Sequence, residues 1–145
     1  MALPRFILLA FACYHVCVPT AEDRCTDCLD MFPGVKHISQ SFQGLGSKTL
    51  SFEKKDGVAG DQDLCTLTGW TNASFYANSL RVGGVSMWGI VCSTWIWVRR
   101  HSTKRGLQNV CGDESSPDVR GANMMVARAW LLISIPMARQ CIVCV

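Results

Sequence analysis

Two Cys-x-x-Cys pairs open and close the region after the N-terminus: Cys25/Cys28 and Cys141/Cys144. Such a pair can serve as half of a zinc site, as a redox dithiol, as a small disulfide loop, or as two disulfide halves leaving adjacent strands. A zinc ribbon needs its second pair nearby, whereas these two lie more than a hundred residues apart. A redox dithiol needs a helix N-terminus to lower the first thiol's pKa, whereas Asp27 and the acids around it act to raise it. Separate structural disulfides fit best. Asn72-Ala73-Ser74 is an N-glycosylation sequon, so Asn72 is the expected glycan site if the chain is exported. The catalytic inventory is thin. His37 and His101 stand alone, Asp61 and Asp63 read as solvated loop acids, and no Gly-x-Ser-x-Gly, His-Glu-x-x-His or phosphate-binding loop is present. No catalytic, cofactor or metal-binding residue is assigned, and no enzymatic role is expected.

The compartment follows from the first residues. Arg5, the uncharged apolar run Phe6–Val18, and then Pro19-Thr20-Ala21 read as a signal peptide over residues 1–21. Its removal takes Cys13 and Cys17 with it and delivers the rest to an oxidising lumen. Seven disulfide candidates remain: Cys25, Cys28, Cys65, Cys92, Cys111, Cys141 and Cys144. An odd set leaves one thiol free, buried, or joined to another chain, and the connectivity stays open. A total of 145 residues allows one core of ordinary size.

The elements that would position these residues read as mainly β. Lys48–Lys54 alternates, with Leu50 and Phe52 on one face, and reads as a strand. Residues 64–68, 73–80 and 85–98 read as further strands on their Val, Ile and aromatic content. Residues 22–47 look irregular, and 112–121 a loop. Met124–Ile135 reads as a short helix stopped by Pro136. The expected fold is a small disulfide-stapled β domain over 22–98, followed by a basic, irregular and partly helical extension over 99–145.

Charge divides near the same boundary. Residues 22–80 hold five basic and eight acidic side chains, and 81–145 hold eight basic and three acidic. The whole is too weakly basic to imply a nucleic-acid partner. Val82–Val98 is uncharged between Arg81 and Arg99-Arg100, so it is also long enough for a short membrane span, with its basic flank on the cytoplasmic side. Strand-like Trp95-Ile96-Trp97 spacing favours the buried strand pair over that span.

Part of the chain resembles the small cysteine-rich extracellular domains of nematode secreted proteins known as C6-type domains. The residues that carry the resemblance are Cys25-Thr-Asp-Cys28, Asp63-Leu64-Cys65-Thr-Leu-Thr68, Asn78 with Val82-Gly83-Gly84, and Ile90-Val91-Cys92-Ser-Thr-Trp95. They cover about residues 25–98, with four cysteines where such domains usually carry six. The resemblance implies a disulfide-stapled β domain of unassigned activity. Together these readings give a secreted, glycosylated protein that binds an unknown extracellular protein or glycan, with no cofactor. A single-pass membrane protein spanning 82–98 and a small extracellular enzyme are the alternatives.

Overall fold

A computed structural model describes residues 24–90 and 93–145. The signal-peptide reading of 1–21 and the candidate Cys92 lie outside the described residues. The chain is an α/β protein built on a four-stranded, wholly parallel sheet of order β2-β1-β3-β4. In chain order the elements are β1 (Thr26–Met31), α1 (His37–Gly44), β2 (Thr49–Phe52), α2 (Leu67–Ser79), β3 (Leu80–Trp88), the single turn α3 (Arg100–Thr103), α4 (Pro117–Ala138) and β4 (Ile142–Cys144). The expectation of a mainly β, disulfide-stapled domain is therefore corrected. Helices alternate with strands, and none of the six described cysteines is in a disulfide.

Parallel neighbours need a crossover, and right-handed crossovers decide where each helix goes. The β1-to-β2 step puts α1 on one face. The steps to β3 and β4 run the opposite way across the sheet, so α2 and α4 share the other face, where they pack together. That second face is the core. Leu29, Met31, Phe52 and Trp88 project from the strands to meet Trp70, Ala73 and Ala77 of α2 and Ala129, Leu132 and Ile133 of α4. On the α1 face, the buried Asp30 accepts both the backbone N–H (3.2 Å) and the hydroxyl (2.6 Å) of Ser39. A carboxylate from the neighbouring strand thus caps the first turn of α1. Lys36, at the cap position itself, is left-handed and its side chain does not cap the helix but pairs with Asp56 at 2.6 Å.

The strand expected over 48–54 is present as β2, with Phe52 buried. Leu80 opens β3, but residues 64–68 and 73–79 are not strands. They form a turn and α2, whose Thr66 cap accepts the Gly69 N–H at 2.9 Å. The described residues of 82–98 form neither a helical span nor a strand pair. Its first part completes β3 in the centre of the sheet, and after Gly89 the described residues turn into a short 3-10 segment. Gly83 takes φ +74° in β3, where the register against β1 slips between Thr26 and Cys28. The helix expected over 124–135 is longer at both ends, and Pro136 lies inside its last turn instead of stopping it. At that position the ring deprives only one carbonyl of a partner. β4 and the core residues of α4 join the same sheet and core as residues 24–98.

Candidate functional site

All four strands run in the same direction, so their carboxyl ends share one edge. In such sheets ligands are held outside that edge, around the point where the strand order reverses. The β3–α4 connection crosses this edge, and it contains the basic run Arg99-Arg100-His101 and Lys104-Arg105.

Arg105 is the centre of the connection. Only 7% of it is exposed, and its guanidinium carbon lies over the Trp95 ring, 3.7 Å from the centroid. Its Nη1 donates to the Val110 and Cys111 carbonyls at 2.7 and 3.1 Å. Its Nη2 donates to Thr94 Oγ1 at 3.3 Å and to Asn123 Oδ1 at 2.9 Å. All four acceptors are neutral, and the buried Nε has no partner among the described residues. A buried cation whose direct acceptors are neutral oxygens projects a positive field into the space that adjoins it, here offset in part by Glu114, which bonds the far side of Asn123.

That space is a groove. Trp95, Ile96, Arg100, Arg105, Leu107 and Val110 surround a hollow of about 550 Å³. A more open basin of about 840 Å³ continues past His101 and Lys104. The local backbone holds the shape. Gly106 and Asn109 bridge each other, Lys104 is left-handed, and Arg100 Nε donates to the Arg105 carbonyl at 3.2 Å. Gly112 must be glycine, because it has φ +74° and a Cβ there would lie 2.6 Å from the Thr103 carbonyl oxygen. Asp113 and Glu114 are the nearby acids: Glu114 Oε1 accepts from Asn123 Nδ2 at 2.9 Å, and Asp113 is held by its neighbours. Two bonds from Ser115 and the charge of Lys104 hold its carboxyl below the usual range, so it stays ionised.

The residues singled out from sequence do not converge on this groove. Cys28 is sealed under α1, and burial, with Asp30 and Asp27 adding to it, pushes its thiol up to about 11. Cys25 sits at the opposite edge of the sheet with Lys48 Nζ 2.6 Å from its sulfur. Cys65 donates to the Gly121 carbonyl, and burial and Asp63 raise its pKa. Cys141 donates to the Arg81 carbonyl, while Cys111 and Cys144 are exposed. Asn72 lies within α2, half-buried, with its Nδ2 donating to the Asp61 carbonyl at 3.0 Å, and Ser74 of the sequon is buried. His37 is exposed on α1 and His101 lines the basin. No metal-binding group of three acidic, His or Cys side chains occurs among the described residues. The Ser39–Asp30 pair resembles part of a nucleophilic dyad, but both residues are buried and no histidine among the described residues bonds to them.

Fold and groove together define a parallel α/β protein with a basic, aromatic hollow beyond the carboxyl edge of its sheet. Comparison with protein-family models, with curated proteins and with solved structures finds no match to this chain.

Proposed function

We propose that the protein is an exported, non-catalytic binding module, and that its groove takes an acidic segment of a partner protein carrying an apolar anchor. The observation that supports this is Arg105: a buried guanidinium over the Trp95 ring that has, among the described residues, no partner for its Nε and no carboxylate among its acceptors. Arginine and tryptophan in a concave, partly apolar setting are the side chains that dominate protein interfaces. Trp95, Ile96 and Leu107 offer the apolar wall, and Arg100, Lys104 and Arg105 offer the charge. Export rests on Arg5 and the apolar run Phe6–Val18.

The test is titration with fluorescent peptides that alternate Asp or Glu with Leu or Phe. Binding should weaken about tenfold or more in Lys104→Gln combined with Leu107→Gln, two exposed substitutions that leave the Arg105 support intact. Equal affinity for a basic peptide of the same apolar content would overturn the reading. So would binding to heparin without binding to acidic peptides. In expressing cells the protein should reach the medium, and retention in the cytosol would remove the export claim.

A further inference from the structure

We infer that Cys25 and Lys48 are joined by oxidation into a nitrogen–oxygen–sulfur bridge, a reversible staple between the amino ends of β1 and β2. The pair lies at the amino edge of the sheet, away from the groove. Cys25 directly precedes β1 and Lys48 directly precedes β2. The sheet fixes both backbones. The Lys48 carbonyl accepts the Asp27 and Cys28 N–H groups at 2.8 and 3.3 Å, and the Lys48 N–H donates to Asp27 Oδ2 at 2.7 Å. Asp27 is held in turn by Arg81 of β3. Lys48 Nζ then lies 2.6 Å from Cys25 Sγ. An N–H···O bond spans about 2.7–3.2 Å, and sulfur is a larger atom than oxygen. The contact is therefore too close for an ordinary N–H···S bond. It is the separation of two atoms that share a single bridging atom. Lys48 is exposed and Cys25 half-buried, so a small oxidant reaches both. Among the described residues no other cysteine bonds to an amine. Cys65 and Cys141 donate to carbonyls, and Cys28 is sealed.

The oxidant is hydrogen peroxide. A first equivalent turns the Cys25 thiol into a sulfenic acid and releases water. The new oxygen then stands against the Lys48 amine. A second equivalent takes up two electrons as the N–O bond forms. Its O–O bond breaks, the sulfenic O–H and one N–H give up their protons, and two waters leave. Sulfur and nitrogen each lose two electrons, and the two peroxides accept all four. Two equivalents of a dithiol return the four electrons and restore thiol and amine with release of one water. The bridge closes the stretch from Cys25 to Lys48, which carries β1 and α1. It restricts the unfolded chain as a disulfide closing the same loop does.

The full-length protein is reduced, treated with hydrogen peroxide, digested and mapped by mass spectrometry. A peptide linking Cys25 to Lys48 should appear, with one oxygen gained and two hydrogens lost. Trypsin should no longer cut after Lys48, and dithiothreitol should restore both peptides. Peroxide added in urea should give about tenfold less bridge or lower, because only the folded chain holds the two atoms together. Lys48→Arg and Cys25→Ser should each abolish it, with circular dichroism confirming that both variants are folded. The bridged protein should melt about 5 °C or more above the reduced one, a rise absent in Lys48→Arg. Cys25 recovered as a disulfide or a sulfinic acid with Lys48 unmodified overturns the inference. So does a linked peptide without the added oxygen, an equal yield in urea, or a bridged protein that melts with the reduced one.

Discussion

The two buried groups Cys28 and Arg105 show how much a side chain's neighbours decide about its chemistry. Cys28 faces α1 with no exposed surface, and its thiol is pushed from 9.0 up to about 11 by burial, with Asp30 and Asp27 adding to it. A thiol raised in the folded state binds its proton more tightly there than in the unfolded chain. The stability it supports is therefore fully present below pH 9.0 and is lost as the pH rises toward about 11. The loss should approach about 1.4 kcal/mol per pH unit across that window. Cys65, raised in the same direction, adds to it. Urea unfolding between pH 8 and 11 checks this: the slope should flatten in Cys28→Ala, and an equal slope in that variant would reject the assignment. In native protein Cys111 and Cys144 should alkylate first, and Cys28 only after unfolding. Little of this was legible in the sequence. The acids beside Cys28 were visible, but the helix that seals it was not. Likewise the basic run was plain as a run of charges, whereas the stacking of Arg105 on Trp95 depends on how the connection folds back on itself.

At the scale of elements, legibility followed periodicity. β2 was readable because Leu50 and Phe52 alternate with Thr49 and Ser51 on a strand at the edge of the sheet. β1 was hidden because Asp27 and Asp30 break its apolar run. One forms an ion pair with Arg81 and the other caps α1, roles that only the folded chain reveals. α2 was misread because Phe75 and Tyr76 favour strands by type. Its true signal is the Trp70, Ala73, Ala77 spacing behind a Thr66 cap. Gly69 in that first turn is a second mark of packing. A Cβ there would lie 2.0 Å from the Asp63 carbonyl oxygen, so the turn before α2 and the helix must approach with nothing between them. Gly69→Ala removes the flexibility cost of glycine in a helix, about 1 kcal/mol. The forced separation of the two segments should outweigh that gain and leave a net loss of about 2 kcal/mol. The shift in urea midpoint measures it, and a stabilised variant would show that the approach is looser than described.

At the scale of the whole molecule, the position of the last forty-seven residues matters most. Composition separates a mildly acidic stretch from a basic one near Val98, and that contrast reads naturally as a domain followed by an extension. The sheet joins what the charge divides. β4 pairs with β3 through Val85, Ser86 and Met87, and α4 supplies Ala129, Leu132 and Ile133 to the same core as Leu29 and Phe52. Arg128 and Arg139 reach back to carbonyls of the α2 region, at Leu64, Thr66 and Asn78. Buried apolar contact, with no disulfide among the described residues, connects the two halves. A chain ending at Val98 would leave one side of α2 and much of the core face of the sheet in water. Each large core side chain so uncovered forfeits about 1.5–3 kcal/mol, against a total stability of only about 5–15 kcal/mol for a domain. Residues 24–98 produced alone should therefore bind a hydrophobic dye and show no cooperative thermal transition, while the full chain melts cooperatively. A sharp melt from the shorter piece would restore the division at Val98. Its absence would make the basic connection and α4, with the groove they carry, inseparable from the fold that presents them.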